Sequence, residues 1–506
     1  MKKLFRPLIA ALMFTGFGCT PSAQQTAEKE PVTTIRLFEG DNPDPSIVRY
    51  KDTYYMVHSS FIYTPGLVVY KSTDLVNWEP CSVALPEYAG DIWAPDICVH
   101  NDRFYIYFPT RDEKGGTNMV VWTDDPEGEW SKPVNLHVGG IDPEHVAGPD
   151  GKRYLLLSAG DLHPLSEDGC SIIGKPDIIY EGWDIPEDWD IESFSLEGLN
   201  VKKIGEYYYL LAAEGGTAGP PTGHMVVQAR SKDIKGPWIN DPSNPLLRTE
   251  SPQEKWWSQG HGSIIDTPDG RLFLLFHAYE KGYLTLGRQT LFREVEISED
   301  GWIRLKEGDI SLPQPAIIDE RGIKDYIWQT TQESLAERFT ITEDAIIIKA
   351  KGENPKDASP LLLRAGDHNY EVEACIELNN EKAHAGLMVY YNPDMNFGLG
   401  FKPGQLLRYR RGGVSRASLK RYPPKFDYSM KNGKSKLWVK IRNTEHLISG
   451  WYSEDGKTWY KYPWGFDTQG YHHNTLGGFL SVRPGIYVGG EGEATITNFK
   501  YRRLQE

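Results

Sequence analysis

The pattern of apolar and polar positions repeats five times along the first three hundred residues, with a period of about fifty. Each unit has a short apolar strand that carries one polar residue, then a turn and a second strand rich in aromatic residues. The segments with the polar residue are Asn42-Pro43-Asp44, Pro95-Asp96-Ile97, Ile141-Asp142-Pro143, Leu196-Glu197-Gly198 and Gly260-His261-Gly262. This period predicts a five-bladed β-propeller with one four-stranded sheet per blade. A β-sandwich with accidental periodicity is the alternative, and five concordant repeats favour the propeller.

The repeat stops near Arg304, and a different set of strands follows it. The segment 313–330 carries Pro313, Pro315 and a polar run, which is typical of a connector. From 331 to 506 the chain has new alternating strands, for example Tyr370-Glu371-Val372-Glu373 and Leu437-Trp438-Val439-Lys440. We therefore expect a propeller at 36–312 and a second all-β domain, a sandwich, at 331–506.

The first nineteen residues resemble an export signal of the lipoprotein type. A basic head with Lys2, Lys3 and Arg6 precedes an apolar stretch that is too short to span a bilayer. The stretch ends at Gly18-Cys19, so we expect cleavage before Cys19 and attachment of lipid to that residue. Residues 20–35 then form a polar linker. These features predict an exported protein, periplasmic or an outer-membrane lipoprotein, that touches the membrane only through its lipid.

Charge and cysteine content narrow the function further. The net charge is −15, which argues against nucleic acid or an anionic membrane surface as partner. Aromatic residues make up 12% of the chain, which suits sugar-stacking surfaces and equally suits all-β cores. The other four cysteines have no zinc-binding spacing, and we expect free buried thiols, although the sequence does not decide whether any of them pair. They are Cys81, Cys98, Cys170 and Cys375.

A propeller brings the first strands of its blades to one central axis. Asp44, Asp142 and Glu197 are far apart in the sequence, but this geometry places them close together. Each residue taken alone has an ordinary explanation, because Asp-Pro often forms a turn and Glu-Gly is common. Three acids at equivalent positions in blades one, three and four together indicate acid–base chemistry.

The order and blade positions of these motifs, with Trp93-Ala94-Pro95-Asp96 in blade two, resemble family 43 glycoside hydrolases. The resemblance covers about residues 36–312, and the region 331–506 is similar to the β-sandwich that follows the propeller in β-xylosidase-type members. It implies an all-β fold, a five-bladed β-propeller followed by a concanavalin-like β-sandwich. It also implies hydrolysis of β-xylosides or α-L-arabinofuranosides with inversion.

The resemblance implies a role for each carboxyl group. Asp44 matches the general base that activates water, and Glu197 matches the general acid that protonates the leaving oxygen. Inversion needs about 6.5–9.5 Å between two such groups to leave room for the water. Asp142 matches the third carboxylate, which orients the acid and keeps its pKa raised.

Other site residues follow from the same resemblance. Arg288 matches an arginine that contacts a substrate hydroxyl, and the alternative is that it only pairs with the carboxylate cluster. Trp93 and Phe61 match aromatic walls of the terminal-sugar subsite, although either aromatic residue can instead be part of the core packing. His261 lies at the floor of the site in similar enzymes, sometimes as a calcium ligand, and a hydrogen-bonded core histidine is the alternative. We expect no required cofactor, since calcium prefers oxygen ligands. Glycine-rich residues 214–221 are predicted to shape the pocket rim.

Together these features predict an exo-acting, inverting glycosidase that acts on plant polysaccharides or oligosaccharides, with β-xylosidase as the leading assignment. An α-L-arabinofuranosidase or another exo-glycosidase of the same fold is the alternative. A non-catalytic carbohydrate-binding propeller is the rival from another class, and the complete set of acids argues against it. Ser453-Glu454-Asp455-Gly456 resembles the Asp-box of sialidases, but Asp-Gly between strands is foremost a hairpin turn.

Overall fold

A computed structural model describes residues 33–112, 115–149, 151–317, 321–416, 435–463 and 465–505, which form two β-domains. The predicted export signal and Cys19 lie outside the described residues, as does most of the linker. Among the described residues, no helix has the length and apolar character that a membrane span requires.

Five antiparallel sheets follow one another along residues 35–305 and form the five predicted blades. The strands are, in blade one, Ser46–Tyr50, Thr53–Val57, Gly66–Ser72 and Glu79–Leu85; in blade two, Asp91–Ile92, Asp96–His100, Arg103–Asp112, Gly115–Thr123 and Val134–Asn135; in blade three, Glu144–Ala147, Arg153–Leu157, Asp161–Pro164 and Asp177–Ile178; in blade four, Glu197–Ile204, Tyr207–Glu214, Met225–Ser231, Ile239–Asn240 and Leu247–Arg248; and in blade five, Trp256–Asp266, Leu272–Glu280, Arg288–Ile297 and Ile303–Leu305. The N-terminal strand Ile35–Arg36 pairs with Arg288–Ile297, so it joins the start of the propeller to its last blade. Ile35 belongs to this strand and not to the predicted linker, so the linker prediction was one residue too long.

The second strand of each blade is apolar on both faces, because both faces are packed. Successive residues of a strand point to opposite sides, so Leu210 packs against blade three while Leu211 packs against blade five. Similar clusters fill the other gaps between neighbouring blades. Full burial of such a leucine contributes roughly 1.5–3 kcal/mol. This packing explains why the sequence has continuous apolar runs there.

A ring of hydrogen bonds around the axis fixes the register of the five blades. In each blade, one side chain near the start of the strand closest to the axis forms a hydrogen bond with the backbone of a neighbouring blade. The bonds run from Ile97 N to Ser46 Oγ (3.0 Å), His145 N to Asp96 Oδ2 (2.9 Å), Val201 N to Glu144 Oε1 (2.9 Å), Ile264 N to Asn200 Oδ1 (3.2 Å) and Ser263 Oγ to Pro45 O (2.8 Å). Asp96 therefore corresponds to Ser46 in this ring and not to Asp44, which corrects the repeat alignment in blade two. In blade four the ring residue is Asn200, so Gly198 corresponds to Asp44 and Asp142, and Glu197 lies one residue before the predicted equivalent position.

The second domain is a sandwich of an eight-stranded and a six-stranded sheet. The larger sheet contains Phe339–Ile341, Ala345–Lys349, Asn369–Leu378, Ser435–Thr444, Leu447–Ser453, Tyr460–Lys461, Phe466–Asp467 and Glu493–Arg503. The smaller contains Leu361–Leu362, His384–Asn392, Met395–Lys402, Gln405–Arg410, Gly413–Arg416 and Arg483–Gly489. Short helices occur at Leu335–Arg338 and His473–Leu476, with 3-10 turns at Ser158–Gly160, Leu284–Leu286, Ile323–Asp325 and Pro355–Asp357.

Asp455 accepts backbone N–H bonds from Lys457 and Thr458, so the Asp-box segment is a hairpin turn, as expected. Cys81, Cys98, Cys170 and Cys375 are free, and Cys375 is the buried one among these four.

The two domains are in direct contact close to the propeller axis. Strand Tyr63–Thr64 of the propeller pairs with Thr330–Thr331. The guanidinium of Arg483, from the sandwich, lies 3.3 Å from the centre of the Tyr63 ring. Arg364 of the sandwich donates a hydrogen bond to Asn42, two residues before Asp44. The sandwich thus supports the segment that carries Asp44.

Candidate active site

Four equivalent turns hold the functional groups at the axis. Asp44, Asp142 and His261 have left-handed backbone conformations, with φ values of 56°, 52° and 56°, and Gly198 has φ 55° at the same place in blade four. Such a conformation is strained in residues other than glycine, and it persists only where the surroundings enforce it. The recurrence of one strained turn in blades one, three, four and five brings these side chains together.

The Asp44 carboxylate is buried and surrounded by donors. Arg288 donates from Nη1 to Oδ1 at 3.0 Å and from Nη2 to Oδ2 at 3.3 Å, while Ser59 Oγ donates to Oδ2 at 2.6 Å. His277 Nδ1 lies 3.0 Å from Oδ1. Burial alone would raise the pKa of Asp44, but Arg288 and the His277 hydrogen bond, with smaller help from His261, hold that pKa well below its ordinary value. Asp44 is therefore ionised throughout the physiological range.

Asp142 contacts the backbone beside Glu197. Its Oδ2 accepts a hydrogen bond from the N–H of Gly198 at 2.8 Å, which fixes the chain at the position after Glu197. Burial and the charges of Glu197 and Asp44 raise the pKa of Asp142 well above its ordinary value. This bond joins the Asp142 carboxyl group to the backbone segment that carries Glu197.

Glu197 is half-buried at the start of the first strand of blade four. Burial, followed by the negative charge of Asp44, raises the pKa of Glu197 to about 7, against a smaller opposing effect of Arg288. Asp142 was predicted to keep this pKa raised, and the repulsion between the carboxyl groups of Asp142 and Glu197 disfavours ionisation of both. Asp44 adds its own negative charge next to Glu197. Glu197 can thus hold a proton near neutral pH while Asp44 cannot.

His261 lies between the two aspartates. Its Nδ1 is 3.5 Å from Asp44 Oδ1 and 4.0 Å from Asp142 Oδ2. Asp44, His261 and His277 together present three donor atoms within 4.8 Å of one another. This set does not fit calcium, which takes six to eight oxygen ligands, because two of the donors are imidazole nitrogens and Arg288 already places a positive charge on Asp44. We assign no metal ligand here and derive no step through a metal.

The aromatic residues form one side of the site together with a residue of the sandwich. Phe61 is buried, and its ring stacks on Phe479 at a centroid distance of 6.1 Å. Trp93 meets Phe479 edge-on at 5.8 Å. The Arg288 guanidinium lies 5.0 Å from the centre of the Phe479 ring. Phe479 therefore links both predicted aromatic residues to Arg288 and Asp44.

Three residues of this site, Ser59, His277 and Phe479, were not predicted from the sequence. Ser59 and His277 are polar residues within or directly after apolar second strands, which is a signal that the sequence offered. Phe479 follows Gly477-Gly478 in the sandwich, and no local pattern shows that it reaches the propeller. Its place in the site depends on the contact between domains.

The glycine-rich residues after Glu214 form a loop next to the site, as predicted. Strand Tyr207–Glu214 ends where the loop begins, and Gly215 and Gly216 have φ values of 88° and 74°. Thr217 in this loop lies with its Oγ1 3.3 Å from His277 Nε2.

An ionised carboxylate and a protonated carboxyl group on one axis form a site for acid–base hydrolysis of a glycosidic bond. Comparison with known proteins agrees with a glycoside-hydrolysing site. The model of glycosyl hydrolases family 43 matches residues 34–303, and that of the β-xylosidase C-terminal concanavalin A-like domain matches residues 325–505. The chain belongs to glycoside hydrolase family 43.

The chain is similar to proteins named as xylosidases or arabinofuranosidases, either over most of its length or over about half of it. A xylosidase/arabinosidase 43B of Humicola insolens is 28% identical over 93% of this chain and 97% of its own length. A non-reducing end α-L-arabinofuranosidase of Bacteroides ovatus is 32% identical over 57% of this chain and 55% of its own length. The solved structure of a xylan β-1,4-xylosidase from Bacillus halodurans is 26% identical, covers 93% of this chain and 100% of its own, and has a TM-score of 0.78. The predicted fold class, a propeller followed by a concanavalin-like sandwich, is confirmed.

Proposed function

We propose that this protein is an exo-acting, inverting glycosidase that removes terminal xylosyl or arabinofuranosyl residues from plant polysaccharides or oligosaccharides. β-Xylosidase is the leading assignment, and α-L-arabinofuranosidase is the alternative. One observation carries the proposal: the pKa of Asp44 is held well below its ordinary value, while that of Glu197 is raised to about 7. Two carboxyl groups with opposite shifts are what a base and an acid in one site require.

In the proposed mechanism a water molecule attacks the anomeric carbon from the face opposite the leaving oxygen. Asp44 accepts the proton of this water, and Glu197 donates its proton to the glycosidic oxygen as the bond breaks. Each turnover leaves Asp44 protonated and Glu197 ionised, so one proton must return to Glu197 before the next cycle. Arg288, beside Asp44, is placed to bind hydroxyl groups of the sugar.

Two observations support an exo-acting enzyme. The sandwich residue Phe479 packs against Arg288 and the aromatic pair Phe61 and Trp93, so one side of the pocket is closed by the second domain. The names of the relatives, which include xylosidases and a non-reducing end arabinofuranosidase, agree with removal of terminal residues.

Paired substrates and matched variants test the proposal. We expect the wild-type protein to cleave 4-nitrophenyl β-xylopyranoside or α-L-arabinofuranoside. Asp44→Asn should lower kcat by about 10²–10⁴-fold, the usual contribution of a general base. Glu294→Gln is the control, because Glu294 is also buried but pairs with Lys306. Loss of binding without loss of turnover in Asp44→Asn would contradict the assigned role.

The leaving group distinguishes the acid from the base. 4-Nitrophenolate needs little protonation to depart, whereas the sugar leaving group of xylobiose needs a full proton. Glu197→Gln should therefore lose much more activity on xylobiose than on the nitrophenyl glycoside, and Asp44→Asn should lose similar activity on both. NMR of the first product should show the inverted anomer. A protein that binds oligosaccharides and cleaves none of these substrates would favour the carbohydrate-binding alternative.

We also propose that the protein is exported and held at a membrane by a lipid on Cys19, with plant glycans as its substrates. The basic head, the short apolar stretch and Gly18-Cys19 support this proposal. In cells, Cys19→Ala should move the protein from the membrane fraction to the soluble fraction. An unchanged distribution would refute the anchor.

A further inference from the structure

Asp41 is a buried carboxylate three residues before Asp44. Its Oδ1 accepts a hydrogen bond from the backbone N–H of Arg288 at 3.1 Å. The next residue, Asn42, donates its own backbone N–H to the carbonyl oxygen of Arg288 at 2.9 Å. Residues 41 and 42 therefore hold both backbone polar groups of Arg288, the residue whose guanidinium binds Asp44.

The backbone before Arg288 is shaped to receive this carboxylate. Gly287 has φ 77°, a conformation that favours glycine, and a Cβ at this position would lie 2.2 Å from Asp41 Oδ1. The carboxylate of Asp41 thus packs directly against the peptide that joins Gly287 to Arg288. Its position determines where the strand Arg288–Ile297 begins.

The charge that balances Asp41 comes from the other domain. Arg483 Nη2 lies 3.7 Å from Asp41 Oδ2, and both side chains are 2% exposed. Oδ2 has no hydrogen-bond partner among the described residues, so Arg483 acts on it through its charge. Arg483 is itself held in place, because its Nη1 donates to Gln329 Oε1 at 2.6 Å and its guanidinium covers the Tyr63 ring. A buried charge is costly unless it is paired, so Asp41 depends on this arginine.

Three arginines act on the ionisation of Asp41. Burial raises the pKa of Asp41, and the positive charges of Arg483, Arg288 and Arg364 oppose this rise, with Arg483 as the strongest of the three. The other titratable groups that face Asp41 have raised pKa values and are neutral; they are Tyr63, Tyr279 and Tyr391. The guanidinium of Arg288 is already bonded to Asp44, so Arg483 is the cation that serves Asp41.

We propose that Asp41 is a positioning residue for Arg288 and that Arg483 of the sandwich supplies its counter-charge. Through Arg288, this pair controls how the guanidinium meets the two oxygens of Asp44. The inference rests on the proposed function, because Arg288 acts there as the partner of the base. It makes the active site of the propeller incomplete without the sandwich.

Substitutions at the two positions separate the hydrogen-bond acceptor from the charge. Asp41→Ala removes the acceptor for the Arg288 N–H and should lower kcat/KM by about 10- to 100-fold, the value of one hydrogen bond to a charged group. Arg483→Met leaves Asp41 without its counter-charge and should lower kcat/KM by about 10-fold. The double variant Asp41→Asn/Arg483→Met keeps an amide oxygen as acceptor and needs no counter-charge. It should recover to within about five-fold of wild type.

The pH profile distinguishes positioning of Arg288 from a purely structural role. A displaced Arg288 no longer lowers the pKa of Asp44, so the acidic limb of kcat/KM should move to higher pH in Asp41→Ala and in Arg483→Met. The limb should return in the double variant. The other titratable groups around Asp44 are the same in all these proteins; they are His58, Asp142, Glu197, His224, His261, His277 and Tyr279.

Arg338→Met is the matched control, because Arg338 is a largely buried arginine that pairs with Glu333 at 2.5 Å within the sandwich. It should lower the melting temperature and leave both kcat/KM and the acidic limb unchanged. Equal losses in Arg483→Met and in the double variant, or losses without any shift of the acidic limb, would overturn the proposal.

A second pair of variants serves if a single variant fails to fold. Asp41→Ala/Arg483→Met and Asp41→Asn/Arg483→Met both lack the buried charges and differ only in the acceptor for Arg288. The acidic limb should move in the alanine protein alone, and the same limb in both would contradict the role of Asp41. If Asp44→Asn keeps wild-type kcat, the proposed function fails. If Asp44→Asn is inactive while the asparagine double variant shows no recovery, only the role of Asp41 and Arg483 fails.

Discussion

Phe479 gives the sharpest test of whether the sandwich shapes the active-site pocket. The Phe479→Ala substitution removes a ring that stacks on Phe61, meets Trp93 edge-on and lies beneath the guanidinium of Arg288. Because Arg288 also holds Asp44, loss of the ring frees one side of the residue that positions the base. The substitution changes the pocket without touching any carboxyl group.

The contacts set the size of the effect. Each aromatic pair is worth about 0.5–1.5 kcal/mol beyond its buried area, and the cation–π contact about 0.5–2 kcal/mol. If about half of this total orients Arg288 and the sugar in the transition state, the activation free energy should rise by roughly 0.75–2.5 kcal/mol, which lowers kcat/KM by about 4- to 70-fold. The loss of folding stability should be smaller than for a fully buried phenylalanine, because Phe479 is partly exposed.

Steady-state kinetics on the preferred nitrophenyl glycoside, with thermal unfolding of the same samples, measures both quantities. Phe466→Ala is the matched control, because Phe466 stacks on Phe397 at 4.9 Å and lies 5.2 Å from Arg410, within the sandwich. It should cost similar stability and leave kcat/KM unchanged. A kcat/KM of Phe479→Ala within about three-fold of wild type would show that the sandwich does not shape the pocket.

Two further predictions concern acid–base state and steric fit. Plots of kcat/KM against pH should fall above pH 7, because Glu197, with a pKa of about 7, loses the proton that it must donate. The acidic limb should lie below the ordinary carboxylate range, because the pKa of Asp44 is lowered. A basic limb near pH 5 would refute this assignment. A Cβ at Gly198 would lie 2.9 Å from His261 Nδ1, so Gly198→Ala should lower kcat at least ~10-fold, whereas Gly205→Ala, with a similar φ but open space, should cost only ~1 kcal/mol of stability in thermal unfolding. Equal kcat in both variants would show that this close approach is unimportant.

Local patterns were sufficient to predict the blades and the axial acids. The apolar second strands around Leu210 and Leu274 have partners on both faces, and each follows a first strand that carries one polar residue at the axis, so the repeat shows in the sequence itself. The exact alignment of residues from one blade to the next was harder to predict. Asp96 and Asp44 look alike as Asp beside Pro, yet hydrogen bonding to His145 places Asp96 in the inter-blade ring. A shift of two residues keeps a side chain on the same face of a strand, so periodicity alone did not reveal that Asp96 had been aligned with Asp44 and not with Ser46.

The sequence by itself determined an all-β chain with five repeats, a second β-domain and a set of acids able to meet on one axis, because these features follow from short-range alternation and residue chemistry. Only the tertiary structure decided how each acid behaves. Arg288 and His277 come from strands more than two hundred residues after Asp44, and they lower its pKa, while burial raises that of Glu197. Phe479 enters the site from the other domain. Protonation and pocket shape depend on distances between segments far apart in the chain, which local patterns do not encode.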